Sequence, residues 1–294
     1  GSVSITASTE GKSAAATIKV DSRANFLTAI VEPIRVTYDL PALAVAIVTR
    51  SGGQFGKAAS GRRRMSQPNP VTNDDMWHIG SDLKAITAHV VASAVTDGKI
   101  SWTTTLQEAY PELAGTMRAE YRTVTLKQLL GHIGGFAPNI ENPAIPGTGS
   151  LTSQRAKIAA WVTSVPASPG VGQYNYSNIG FMVAANMVER AVGSPWEDIM
   201  QTKLLAPLGI TGFGWGVAPY ASNQNPIGHQ RNGTSAWVEY PGSDNPPYLS
   251  AAGRSHWSID GWSKVIQEIM KADQGQSSIV SQANARVTTT SQSS

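Results

Sequence analysis

Apolar residues along the chain follow three different spacings, and each spacing predicts a different kind of element. Over residues 3–20 apolar and small polar residues alternate on both sides of a Glu-Gly-Lys turn, which predicts a β-hairpin. Over residues 21–38, Phe26, Ile30, Val31, Ile34 and Val36 recur at helical spacing and predict an amphipathic helix. Residues 40–49 and 54–60 are apolar runs separated by Ser51-Gly52-Gly53, an antiparallel strand pair with one face for that helix to cover. From residue 81 to about residue 208 the pattern is mostly helical, with frequent Pro and Gly breaks. Its strongest segments are 85–95, 153–165, 179–192 and 196–205, with a shorter one at 126–130. Residues 211–255 are rich in Gly, Pro, Asn and Ser and predict long loops with at most short strands. Residues 259–272 are helical again, and the polar tail from Gln274 onward is expected to fray. The predicted fold class is α/β (α+β): a helical subdomain beside a small, incomplete antiparallel sheet.

Composition narrows the class. With 294 residues, 41% hydrophobic and 15% charged, the chain can bury a sizeable core as one large domain or two small ones. The net charge of +3 is small, and the one basic run, Arg62-Arg63-Arg64, has no aromatic residues interleaved with it. A solvated hairpin end is expected there, and no nucleic-acid partner. The absence of cysteine removes disulfides, thiolate zinc sites and cysteine nucleophiles. The five histidines show no ligand spacing, so no metal is expected. No apolar stretch approaches the roughly 18 residues of a membrane span. The chain opens on Gly rather than Met, and an upstream targeting segment is expected to lie outside it.

Candidate chemistry begins at Trp77-His78-Ile79-Gly80-Ser81-Asp82-Leu83-Lys84, a turn at Gly80 opening a buried helix. Ser81 and Lys84 stand three apart and share one helical face. Ile86, Val90, Val91, Ala94 and Val95 sink the helix into a core. A lysine in a dry place favours its neutral form, and a neutral amine can take the proton of a serine hydroxyl. Ser-x-x-Lys arises about once by chance in a chain of this composition, so the pattern needs company. Gly170 to Asn178 supplies it: a Gly-rich loop presents Tyr176 and Asn178, which alternate and in an extended segment point the same way. Tyr176 beside Lys84 would shuttle the proton to and from Ser81, and Asn178 would donate to a bound carbonyl.

Ser-x-x-Lys followed by Tyr176-Ser177-Asn178, with helices between, resembles the serine beta-lactamase and penicillin-binding protein family. The match is closer to the class C-like branch, which includes D-Ala-D-Ala carboxypeptidases and family VIII esterases. Supporting fragments are Leu-Leu-Gly-His-Ile-Gly-Gly at 129–135, Tyr-Ser-Asn-Ile-Gly-Phe at 176–181, Leu-Ala-Pro-Leu-Gly-Ile at 205–210 and Ser-Ala-Ala-Gly at 250–253. The resemblance covers about residues 24–290 and implies a beta-lactamase/transpeptidase-like fold. It implies an acylated nucleophile at Ser81, its base partner at Lys84 and the second motif at Tyr176 and Asn178. The substrate it implies is an ester, a D-Ala-D-Ala or other peptidoglycan-like peptide, or a beta-lactam, with no cofactor.

The family's third motif, Lys or His, any residue, then Gly on a late strand, has no match before the chain ends. Its strand lends an oxyanion-hole N–H worth about 10²–10³ in rate. That strand, its neighbours and the terminal helix are expected beyond residue 294, and residues 1–20 resemble the closing hairpin of a bacterial Ig-like domain, group 2. Domain limits of 1–20 and 21–294 follow, as does an extracytoplasmic location. A second reading, a non-catalytic surface or cell-wall binding module, rests on the same two features. Ser243-Asp244-Asn245 spells a second motif of class A enzymes, but its Pro/Gly surroundings predict a turn. His132 is expected to be a packed loop histidine.

Overall fold

The structure is a computed structural model and describes residues 2–9, 12–19, 23–49, 54–142, 144–233, 236–240 and 244–290. In chain order its elements are β1 (Ser2–Thr9), β2 (Lys12–Lys19), α1 (Arg23–Thr37), β3 (Ala42–Val48), β4 (Gln54–Gly61) and β5 (Met76–His78). Then come α2 (Leu83–Thr96), α3 (Leu106–Ala109), α4 (Leu126–Leu130), α5 (Leu151–Ser164), α6 (Asn178–Val192) and α7 (Trp196–Met200), the last continued by a π-helical turn to Leu205. The remainder is β6 (Phe213–Trp215), β7 (Gly228–Asn232), β8 (Ala236–Tyr240), β9 (Ser255–Ser258), α8 (Ile259–Asp273) and α9 (Gln282–Thr289). These elements divide into two compact units, residues 1–77, 218–243 and 258–263 forming one and residues 78–217, 244–257 and 264–294 the other.

In the first unit β1 and β2 pair antiparallel from Ser2 opposite Lys19 to Thr9 opposite Lys12, the hairpin that the alternation predicts. β3 and β4 pair antiparallel from Ala42 opposite Gly61, with a register shift after Ile47. α1 buries Leu27 and Val31 against Ala58, Leu43 and Val45, so the predicted helix covers the predicted strand pair. The Arg62-Arg63-Arg64 run departs from expectation. Arg63 grips Asp75 with two bonds, Nε to Oδ2 at 2.8 Å and Nη2 to Oδ1 at 2.5 Å, and Arg64 Nη1 lies 3.7 Å from Glu239. Asp75 is buried, and a buried carboxylate requires a counter-charge, so part of the run turns inward.

The second unit is built around α2, whose residues from Leu83 to Ala94 are buried almost all round. α6 packs on α2, α4 and α5 and is itself buried from Ile179 to Glu189. Its limits follow local rules: the Ser177 side chain caps the first turn, and Gly193 ends it in the left-handed region. β6 pairs with β9, Phe213 opposite Trp257, in the stretch expected to hold only short strands. Residues 275–290 do not fray as expected, and residues 291–294 lie outside the described residues. α9 sets Ala285 beside Ala92, Ala272 and Val280, with Trp102 packed against them, and Trp102 Nε1 donates to Asn284 Oδ1 at 2.9 Å. Two small apolar side chains of an otherwise polar tail, Val280 and Ala285, suffice, because Ala92 of α2 and Ala272 of α8 offer a matching apolar surface.

Candidate active site

Gly80 to Asp82 form a single 3-10 turn before α2, with Gly80 at φ +52°, a backbone region that favours glycine. Ser81 therefore sits one turn ahead of α2 rather than inside it, and is exposed, while Lys84 lies in the first turn of α2 and is only 6% exposed. The spacing of three still brings them together: Lys84 Nζ donates to Ser81 Oγ at 3.0 Å. The same amine donates to the Ala252 carbonyl at 2.7 Å. Burial pushes the Lys84 ammonium below its usual range, and the nearby Tyr176 hydroxyl opposes part of that shift. No carboxylate lies within ion-pair reach of Lys84 among the described residues. The turn's own bonds are made by the Asp82 and Leu83 N–H groups, so the Ser81 N–H stands outside them.

Tyr176 arrives from the far end of α5's connection to α6. Its ring centre lies 4.8 Å from Lys84 Nζ, with the Phe181 ring 5.6 Å from the same atom. His132 supports Tyr176 from behind. The two rings stack at 4.6 Å and 32°, and Phe181 lies 5.2 Å from the imidazole. His132 Nδ1 accepts the Ser177 N–H at 3.0 Å. Burial first, and the Lys84 charge second, push His132 below its ordinary pKa, which favours the neutral ring whose Nδ1 can accept this bond. The residue holds φ +61°, a backbone costing on the order of 1–3 kcal/mol outside glycine, offset here by ring packing. His132 is packed, as the sequence suggests, but what it packs against is the candidate proton shuttle. No local pattern announces this, since Tyr176 and Phe181 lie more than forty positions downstream.

Asn178 behaves differently from the expected alternation. Ser177 Oγ accepts the Gly180 N–H at 3.1 Å and donates to the Ala137 carbonyl at 2.7 Å, which makes Asn178 the first residue of α6. The Asn178 amide donates to Asn139 Oδ1 at 2.7 Å, and its backbone N–H to the Pro138 carbonyl at 2.9 Å. Ser81, Lys84 and Tyr176 thus come together, while the Asn178 side chain is tied to the 137–139 loop. Gly180 suits this start of α6: a Cβ there would sit 3.0 Å from the Leu129 carbonyl of α4, so a larger residue would force the two helices slightly apart.

Below this site lies a second polar cluster. Arg155 of α5, fully buried, binds Glu189 of α6 through Nε and Nη2 and Glu197 of α7 through Nη1 and Nη2, both at 3.1 Å. Its Nη1 also donates to Ser250 Oγ at 2.9 Å, two residues before the carbonyl that Lys84 uses. Burial pushes the Glu189 carboxyl up, but the bonds and charge of Arg155, with the Asn186 amide and the Trp196 N–H, outweigh it and leave it below its usual range.

The Beta-lactamase family profile matches residues 27–291. The chain belongs to that family. It is 26% identical over 186 residues to Penicillin-binding protein 4 of Amycolatopsis lactamdurans, covering 61% of this chain and 46% of that protein. It is 29% identical over 194 residues to Lovastatin esterase of Penicillium rubens, covering 57% of this chain and 47% of that one. The chain thus spans about half the length of these curated relatives. Among solved structures, a class C beta-lactamase from Rhodobacter sphaeroides superimposes with a TM-score of 0.68 over 92% of this chain and 70% of that one, at 22% identity. The fold is beta-lactamase/transpeptidase-like, as the sequence motifs imply.

Proposed function

We propose that this domain is a serine hydrolase that works through an acyl-enzyme on Ser81. Its substrate carries an ester, a D-Ala-D-Ala or similar peptide, or a beta-lactam. The observation that carries the reading is the 3.0 Å contact between Ser81 Oγ and a buried amine that has no counter-ion among the described residues. In the neutral form Lys84 takes the Ser81 proton as Oγ attacks the carbonyl carbon. Tyr176, braced by His132, carries that proton onward to the leaving group, and the Ser81 N–H stabilises the oxygen that gains negative charge. Asn178 would turn from Asn139 to meet substrate. In the same proposal the β1–β2 hairpin closes an Ig-like domain, and the protein works outside the cytoplasm.

Incubating the full chain with a fluorescent fluorophosphonate and with a fluorescent penicillin tests this. Covalent label on the Ser81 peptide, absent from Ser81→Ala, is the expected result. A folded protein that takes up neither probe overturns the hydrolase reading in favour of a binding module.

A further inference from the structure

The triplet at 243–245 reads in sequence as a turn, and its two described residues do more than turn the chain. Asp244 Oδ1 lies 3.1 Å from His78 Nε2, and His78 Nδ1 accepts the Gly80 N–H at 3.2 Å. A ring nitrogen that accepts a backbone N–H carries no proton, so the neutral imidazole holds its proton on Nε2, facing Asp244. Asp244 Oδ1 also accepts the Asn245 N–H at 2.7 Å, and Arg254 Nε stands 3.4 Å from its other oxygen. Asn245 extends the same element to the opposite side of the site. Its Nδ2 donates to the Gly253 carbonyl at 2.7 Å, next to the Ala252 carbonyl that holds Lys84, while its own carbonyl accepts from Arg254 Nε at 2.7 Å.

The geometry points to His78, held by Asp244, as a positioning residue for the nucleophile turn. It pins the Gly80 N–H and so sets where Ser81 Oγ and the Ser81 N–H face, while Asn245 pins the turn ahead of β9 whose Ala252 carbonyl receives Lys84. This inference rests on Ser81 being the acylated residue. The physical need is clear. Ser81 is exposed on a single 3-10 turn entered through a glycine at positive φ, so the α2 core does not by itself hold its Oγ in place. One charge-supported acceptor on the Gly80 amide removes that freedom before substrate arrives.

The test separates orientation from folding. In the full chain, His78→Ala should slow fluorophosphonate labelling at saturating probe by about tenfold, the worth of one well-placed hydrogen bond, with half-saturation within about twofold of the parent. His78→Asn places an amide oxygen where Nδ1 stood and should recover most of that rate. Asp244→Ala should slow labelling similarly, and the double variant should be no slower than His78→Ala, since both act through one bond. Labelling of His78→Ala at the parent rate, an Asn variant as slow as the Ala variant, or additive effects with Asp244→Ala would each overturn the assignment. A parent chain that takes no label refutes the hydrolase reading instead. Amide exchange at Gly80 then decides the inference alone: protection in the parent, lost in His78→Ala and restored in His78→Asn, supports it, and unchanged protection refutes it.

Discussion

Two cations are buried in the second unit, and their surroundings are opposite. Lys84 has a hydroxyl, a carbonyl and two aromatic rings around it, and no carboxylate in reach among the described residues. Arg155 has two carboxylates, one of them almost fully buried, and a serine hydroxyl. Burial makes a charge costly in both places, but only at Arg155 is the charge matched. At Lys84 burial lowers the pKa and so favours the neutral amine, the form that the proposed mechanism needs in a base. A guanidinium cannot take that route, because its pKa is too high to lose a proton in a protein. Residue type and counter-ion therefore distinguish the two sites: an unmatched amine beside Ser81, and a matched guanidinium that ties α5, α6 and α7 together.

Exchanging the cations' roles by mutation should give the largest contrast. Lys84→Met should cut Ser81 acylation by about 10²–10⁴-fold, the range of a general base, while the denaturant midpoint stays level or rises. Arg155→Met should do the reverse, costing about 3–5 kcal/mol in urea unfolding, because Glu189 and Glu197 lose their partner. Equal stability losses in the two variants would erase the distinction. Next in size is Tyr176→Phe, which keeps the ring on His132 and Lys84 and removes the hydroxyl. Acylation should fall by about 10²-fold with thermal stability nearly unchanged.

The pH responses should diverge too. Lys84 is depressed, so the acylation rate should climb with pH through a pKa below the ordinary lysine range and level off above it. A rate that levels off only above pH 10.5 would mean the amine is not desolvated. The stability from Glu189 has the other sign. Its folded pKa lies below the ordinary 4.5, so its contribution is complete above that value and is lost as pH falls through the folded pKa. Acid unfolding followed by tryptophan fluorescence should show this loss, and Glu189→Gln should flatten it. The smallest effect belongs to Glu197→Gln, whose carboxylate is 20% exposed and shares Arg155 with Glu189. About 1 kcal/mol in urea midpoint is expected, with acylation within twofold.

Much of the site was legible because it is local. Ser81 and Lys84 stand one helical turn apart, so their contact follows from spacing alone, and the apolar run behind them implies the burial that shifts the amine. The α6 start was legible in part. The Gly-rich loop brings the Tyr176 ring within 4.8 Å of Lys84 Nζ, but the Ser177 cap starts the helix one residue earlier than expected, at Asn178, whose amide goes to Asn139. The tail was misjudged because two small apolar residues, Val280 and Ala285, carry no periodic signal until Ala92 and Ala272 are beside them.

Helix and strand identities, the Ser-x-x-Lys pair and the family motifs were decided by the order of residues, since each depends on neighbours within about one turn of chain. Only the folded molecule decided which distant groups meet: His132 behind Tyr176, Asp244 on His78, two glutamates on Arg155, and the Ala252 carbonyl on Lys84. Those contacts join positions from about thirty to nearly one hundred and seventy residues apart. Their energies depend on burial and on which charges are matched, quantities that exist only once the chain has packed.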